Sequence, residues 1–322
     1  ALAWRLAIAI LAITTPLWGI PGWTLSVATI VAFTALALVG LNLVFGALGM
    51  LAFGQAAFVA LPAYVAGMLD QAGTPTWLAI LAGVVASVAL ARGIASLFVR
   101  LPGIYFAVGS IGLAFVIEGL ARALPEWTGG ASGLVFAQGR SIGATAWYAI
   151  AVAVVVLGTL AYARIMRGAL ARTLRAIRHD ELSAEVIGID VARIKVRMFT
   201  ISSLYAAIAG IGLTYYVGVI VPESAGVNRS LEYVGAVLLG GLGASLGPLV
   251  GAAIVQWLFV VAGYGKRYEL LIYGIAFLGA VLYARHGIIG LVRDATIRFT
   301  RSTSQQGSQL SSTQIAAPDT SP

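Results

Sequence analysis

Cysteine is absent from the 322-residue chain, and histidine occurs only at His179 and His286. Disulfides, thiolate metal sites and histidine metal clusters are thereby excluded. Charge is scarce too: Asp, Glu, Lys and Arg make up 10% of the residues, while 60% are hydrophobic. A soluble domain carries roughly 25% charged residues, so the composition specifies an integral membrane protein. Outer-membrane barrels alternate apolar and polar residues over stretches of about 10. Here the apolar runs are continuous and about 20 residues long, which means helices. Acidic residues inside those runs are nearly missing, with Glu118 the clearest case. Proton- or sodium-driven carriers keep acidic or histidine relays in mid-membrane, so transport energy is not gathered within this chain. No G-x-x-x-x-G-K-[ST] phosphate loop occurs, because Gly265-Lys266 is followed by Arg267. If nucleotide powers the process, another subunit binds it. No nucleophile with its base and no paired acid and base suggests an enzyme, and no cofactor is expected on the chain itself.

What is present is a series of apolar runs near 4–20, 25–46, 50–69, 77–99, 104–122, 144–163, 197–219, 231–243, 246–263 and 268–284. Pro21-Gly22, Gly73 to Pro75, Pro102-Gly103, Pro222 and the region Gly263 to Lys266 punctuate them. The first run carries Arg5 alone and no convincing cleavage site, so it reads as a span rather than a signal peptide. Lys and Arg collect on the cytoplasmic side, and the longest basic stretch, residues 164–197, is placed there with the N-terminus. The loops at 70–76, 123–143 and 220–230 then lie outside. Reading 231–263 as one span would carry Arg285, Arg293, Arg298 and Arg301 outside, against that rule. Two short spans return the C-terminus to the cytoplasm and predict about ten membrane segments. Residues 231–243 cover only about 20 Å at about 1.5 Å per residue, short of a hydrocarbon core of about 30 Å. They read as a half-helix or re-entrant segment. The expected fold is an all-α, polytopic helical bundle over 1–299, and the Ser-, Thr- and Gln-rich residues 300–322 form a disordered cytoplasmic tail.

The stretch 164–197 holds Arg164, Arg167, Arg172, Arg175, Arg178, Arg193, Lys195 and Arg197. Only Asp180, Glu181, Glu185 and Asp190 oppose them. Leu170, Leu174, Ile177, Leu182, Val186, Ile187 and Ile189 form a helical stripe among the charges. Asp180 and Glu181 suit the start of a second short helix, and Ala184 and Gly188 are small enough to let a helix enter a groove. The pattern predicts a helix–turn–helix knob for a cytosolic partner, with Arg178, Asp180 and Glu181 as contacts. A membrane-surface amphipathic loop and a purely topological charge cluster stand beside that reading. Nucleic acid is excluded as a partner by the small soluble mass; the lipid bilayer is the certain one.

Glycine breaks the helical pattern twice. Asn42, Gly46, Gly49, Gly54 and Gln55 mark the first break, and Gly240, Gly241, Gly243 and Gly247 the second. Non-helical backbone at membrane depth survives only when buried in protein or lining a cavity, and paired breaks in two halves point to a translocation pathway. Gly243, Gly247 and Gly251 also stripe one helix face, which suits close packing. Both roles remain open, as do substrate contact and interhelical hydrogen bonding for Asn42 and Gln55. In the loop 123–143, Thr128, Gly129, Gly130 and Gly133 form either a turn gate or a tight connection.

Residues A-I-R-H-D-E-L-S-A-E-V-I-G-I-D-V-A-R-I-K-V-R-M-F at 176–199 resemble the cytoplasmic loop of branched-chain amino acid ABC importer permeases, and specifically the longer of the two paired subunits. The likeness continues through I-S-S-L-Y-A-A-I-A-G at 201–210, F-G-Q-A-A-F at 53–58 and P-G-I-Y-F-A at 102–107. It recurs in T-G-G-A-S-G-L at 128–134 and L-L-G-G-L-G-A-S-L-G-P at 238–248, in family order across most of 40–290. The resemblance implies a type II ABC importer-like permease subunit in a bacterial inner membrane. Its implied partners are a second permease, two ATPases that carry ATP and Mg, and a periplasmic substrate-binding protein. It implies further that Arg178, Asp180, Glu181, Ala184, Glu185, Gly188 and Asp190 lie in the ATPase-coupling segment. Pro62, where relatives commonly have Gly, and Arg285-His286-Gly287, in place of Pro-Arg-Gly, depart from the pattern. Related permeases move urea, short amides and sugars, and an ATP-independent facilitator is the other open reading.

Overall fold

The computed structural model describes residues 22–98, 103–136 and 143–262, with Gly274 and Leu278 in addition. The expected spans at 4–20 and 268–284 and the tail at 300–322 lie outside the described residues.

Helix α1 (Gly22–Leu41) runs straight into a π-helical turn, Asn42–Leu48. Gly49, with φ 83°, ends that turn, and residues 49–54 are non-helical before α2 (Gln55–Gln71) begins. Then come α3 (Thr76–Phe98), α4 (Gly103–Ala123), the single turn α5 (Pro125–Thr128) and the two-residue strand β1 (Leu134–Val135). The basic segment follows α6 (Ala144–Ile165) as α7 (Ala169–His179) and α8 (Glu181–Val186). Helix α9 (Val191–Val217) leads to β2 (Val219–Ile220), the half-helix α10 (Val227–Gly240) and α11 (Gly247–Ala262).

Among the described residues, five helices are long and apolar enough to cross a membrane: Gly22–Leu48, Thr76–Phe98, Gly103–Ala123, Ala144–Ile165 and Val191–Val217. The protein is a polytopic helical membrane protein, as composition predicts. At 14 residues, α10 is the short piece that the length argument requires. Three elements start well away from expectation, one being the half-helix read as 231–243, which runs Val227–Gly240. The helix read as starting at 197 begins at Val191, because Asp190 caps it by accepting from the Arg193 N–H at 2.9 Å. The span read from 50 begins at Gln55, because Gly49 turns the chain out of the helix.

Small residues govern the packing, as they do wherever lipid supplies no hydrophobic drive between helices. Helix α3 buries Ala79, Gly83, Ser87, Ala91 and Ala95, a stripe of spacing four facing α2 and α9, while Trp77, Leu81, Val85 and Leu97 stay exposed. The long helix α9 packs against α1, α2 and α3. Phe199 of α9 meets Phe58 and Phe106 edge-on at 5.2 and 5.3 Å, pinning α9, α2 and α4 together. At the far end of α9, β1 and β2 pair antiparallel, Leu134 opposite Ile220. That pairing joins the loop after α4 to the loop after α9.

Candidate functional site

The two glycine breaks touch. Asn42, fully buried at the first turn of the π-helix, accepts through Oδ1 from the Gly243 N–H at 2.8 Å. Its amide donates to the Ala244 carbonyl at 3.0 Å and to the Tyr162 hydroxyl at 3.1 Å. The Tyr162 hydroxyl donates in turn to the Gly243 carbonyl at 3.3 Å. One asparagine thus pairs an N–H and a carbonyl of the broken backbone, using both the acceptor and the donors of its amide. A Cβ on Gly46 would stand 2.1 Å from Asn42 Oδ1 and 2.5 Å from the Gly243 nitrogen. The breaks therefore approach this closely only while position 46 remains glycine, and Gly243 is suited by its left-handed φ of 74°.

Gly54, Gly240 and Gly247 also sit in close backbone approaches. A Cβ on Gly54 would lie 2.3 Å from the Ser110 carbonyl oxygen of α4, and one on Gly240 would lie 1.9 Å from that of Gly247. Gly247 is as close to the Gly241 carbonyl, at 2.4 Å. Gln55 donates to the Ala37 carbonyl at 3.3 Å and accepts from Ser202 at 3.5 Å, tying α1, α2 and α9. Asn42 and Gln55 are interhelical ties in this conformation, and the break residues other than the exposed Gly49 form a packed seam.

The basic segment grips the same seam. Helix α7 turns Ala171, Leu174 and Ile177 inward, and the Arg178 guanidinium donates to the Gly46 carbonyl. A Cβ on Gly49 would lie 3.0 Å from Arg178 Cγ. The last carbonyls of a helix lack intrahelical partners, and Arg178 serves one of them at the end of the π-turn. Arg178, an exposed residue expected to face a partner, also reaches the protein's own broken helix.

Asp180 begins α8, accepting from the Leu182 and Ser183 N–H groups at 3.1 and 3.4 Å and from the Ser183 hydroxyl. The Ser183 hydroxyl foremost, then the two backbone donors, hold its carboxyl below the usual aspartate range. Glu181 pairs with Lys195 Nζ at 2.5 Å, the lysine being buried at the foot of α9. Asp190 pairs with its own helix neighbour Arg193 at 3.1 Å. Ala184 is buried against the bundle, whereas Glu185 is exposed. Gly188, at φ 85°, stands in open space.

Outward from this scaffold point Leu182, Val186 and Ile187, which are 74%, 86% and 72% exposed. The sequence places all three in the apolar stripe but does not distinguish them from the buried Leu174 and Ile177. The signal was local: Leu182 and Val186 are four apart, so a short helix that buries Ala184 must turn them the other way. Tyr162 gave no signal, because its partners lie far away in sequence.

At the strand end, Thr128, Gly129, Gly130 and Gly133 form a tight connection. The Thr128 hydroxyl donates to the Ala121 and Leu124 carbonyls at 2.6 and 2.7 Å and accepts from the Gly130 N–H at 3.2 Å. A Cβ on Gly133 would meet the Ile220 carbonyl oxygen at 2.2 Å. Arg122 bridges Glu118 and Glu223 at 2.9 and 2.6 Å. Both loops at this end therefore form one platform.

Residues 23–284 match the family described as the branched-chain amino acid transport system permease component. The chain belongs to that family. Its likeness extends to LivM, the high-affinity branched-chain amino acid transport system permease protein, of Escherichia coli (27% identical, 89% of this chain and 74% of LivM) and of Salmonella typhimurium (26%, 89% and 75%). LivH of Escherichia coli, a permease protein of the same system, is 26% identical over 69% of this chain and 79% of LivH. The ribose import permease RbsC of Bacillus subtilis is 34% identical but over 35% of this chain. No solved structure matches.

Proposed function

We propose that this chain is the membrane permease subunit of a binding-protein-dependent ABC importer for branched-chain or related amino acids. A second permease completes the membrane pore, two ATPases seat on α7–α8 in the cytosol, and a periplasmic binding protein lands on the strand-end platform. ATP and Mg are held by the ATPases, so this chain needs no cofactor and catalyses no reaction. The orientation follows the arginines of 164–197, with N- and C-termini in the cytoplasm of a bacterial inner membrane.

The observation that carries this reading is the Arg178–Gly46 contact, because it gives a push on the knob a direct route into the pathway. An ATPase groove covers Leu182, Val186 and Ile187, which are otherwise costly to leave in water at roughly 25 cal/mol per Å². Closure of the ATPases displaces α7, Arg178 carries the π-turn with it, and the Asn42 clasp passes the motion to the second break. A seam of touching backbones has few intermediate packings, so it suits a two-state gate.

The double variant Val186→Asp, Ile187→Asp tests the docking surface, since both side chains are exposed and their loss leaves the bundle packed. ATPase co-purification with the permease pair is expected to disappear, and ATP-driven leucine uptake with it. Undiminished co-purification and uptake would overturn the assignment.

A further inference from the structure

Helices α1 and α6 are two of the helices fit to cross a membrane, and an apolar groove of about 630 Å³ runs along them. Val27, Val31 and Ala35 of α1 and Val152, Val155 and Val156 of α6 form its walls. Trp23, 66% exposed, stands at its mouth with Thr24 and Tyr148. That mouth lies at the strand end, because Trp147, beside Tyr148, meets Tyr216 of α9 edge-on at 6.1 Å, close in the chain to β2. Leu246 lines the groove as well. It belongs to the second break, whose Ala244 carbonyl is held by Asn42 at 3.0 Å. The second break thus closes the deep end.

Length and chemistry select the occupant. From Thr24 to Ala35 the groove covers about 17 Å at about 1.5 Å per residue, and half of a hydrocarbon core of about 30 Å is about 15 Å. The groove is therefore as long as one leaflet is deep. A helix crossing the membrane needs the full depth and would run into the second break, whereas a lipid tail ends with its leaflet. No charged side chain lines the groove, and Trp23 sits where an aromatic ring suits the headgroup level. Lipid supplies no hydrophobic drive, so contact is what fills the space: an empty groove leaves its lining without partner atoms. We infer that the α1–α6 groove is a binding site for one acyl chain of a phospholipid from the strand-end leaflet, with the tip of the chain against the second break. Thr159 lines the groove one turn before Tyr162, and Tyr162 donates to the Gly243 carbonyl. The seated chain therefore braces the Asn42 clasp from the bilayer side. This inference needs the membrane-crossing helices and not the importer reading.

Photolabelling of the assembled complex reads the site directly. The vesicles are of phosphatidylethanolamine and phosphatidylglycerol, with a trace of phosphatidylcholine carrying a diazirine at the acyl tip. Peptide mapping is expected to find label at Thr159, Leu160 and Leu246 several-fold above that at Val85, an exposed side chain of α3. With the diazirine moved next to the ester, label is expected to shift to Trp23, Thr24 and Val27. Groove label no higher than that of Val85 overturns the site, whether another helix covers the groove or no chain stays in it. The same labelled residues with both reagents overturn it too. Ala28→Trp narrows the groove from α1. In a variant complex that elutes intact on size exclusion, label at the deep end is expected to fall to the level of Val85, with Val85 itself unchanged. Undiminished deep labelling in that variant overturns the site as well.

Discussion

Asn42 and Gly243 stand 201 residues apart in the chain and are joined by a hydrogen bond of 2.8 Å. That bond makes one unit of two helix breaks that belong to different halves of the protein. Since Asn42 also serves Ala244 and Tyr162, removing its amide strands several buried groups at once.

Asn42→Leu is therefore expected to destabilise the solubilised permease by about 1–3 kcal/mol, the cost of leaving buried polar groups unpaired. Asn42→Asp is expected to be worse than Asn42→Leu. A carboxylate can still accept from Gly243 but cannot donate to Ala244, and it brings a buried charge. Thermal melts of the two variants check the order; equal melting with wild type would show that the clasp adds nothing.

Arg178→Met keeps the aliphatic stem against Gly49 and removes the donors to the Gly46 carbonyl. The expected result is uncoupling: less leucine transported per ATP hydrolysed, by tenfold or more, with the ATPases still bound through α8. Arg178→Lys, which keeps one donor, is expected to recover part of that ratio. Paired measurements of uptake and hydrolysis in proteoliposomes decide it, and an unchanged ratio in Arg178→Met would remove Arg178 from the coupling route.

Much of this arrangement could be read from residue order alone, and the limits are physical. Apolar run length gives the helices, since a hydrocarbon core fixes how many residues a span needs. Glycine spacing gives the two breaks, and the shortness of 231–243 gives the half-helix. Long-range pairing is another matter. Nothing local to Asn42 names Gly243 as its partner, and nothing local to Arg178 says that it turns inward to Gly46. A charged residue in a basic loop is as well suited to solvent or a partner as to a distant carbonyl. The same holds for Ala184 and Val186, neighbours in a short helix whose opposite fates depend on which face meets α9 and the bundle.

Asp180 makes α8 sensitive to acid. Its carboxyl, held low by Ser183 and the N-terminal N–H groups of α8, is charged in the folded protein at every pH where it would also be charged unfolded. Its contribution is thus complete above the ordinary aspartate value of about 3.9 and is lost as pH falls through the lower folded value. ATPase association is expected to be flat from pH 6 to pH 8 as far as this group is concerned. Asp180→Asn retains an acceptor for the cap and is expected to bind ATPase nearly as wild type, whereas Asp180→Ala is expected to fray α8 and weaken binding. Pull-down of the ATPase by each variant at neutral pH checks the contrast.

Gly210 of α9 faces α2 so closely that an added Cβ would sit 1.9 Å from the Val59 carbonyl oxygen. Backbone on one side and helix on the other leave no flexible atom to yield. Gly210→Ala is expected to separate α2 from α9 and to lower the yield of folded permease sharply, although a single methyl is added. A variant such as Gly93→Ala, whose Cβ meets nothing within 4 Å, serves as control and is expected to express as wild type. Fluorescence-detected size exclusion on both reads the difference, and equal yields would show that the α2–α9 contact is slack.

Gly188 offers the sharpest separation of docking from folding. It lies just past α8 with φ 85°, and an added Cβ meets no atom within 4 Å. Alanine there carries only the backbone cost of a left-handed residue, about 1 kcal/mol, confined to an exposed turn. Tryptophan carries the same backbone cost and adds a large volume where the ATPase is proposed to sit. If the knob enters a groove, Gly188→Ala is expected to retain most ATP-driven uptake while Gly188→Trp loses nearly all of it, with equal amounts of permease in the membrane. Equal uptake by the two variants would mean that no partner approaches this turn, and the knob would then be a membrane-surface loop.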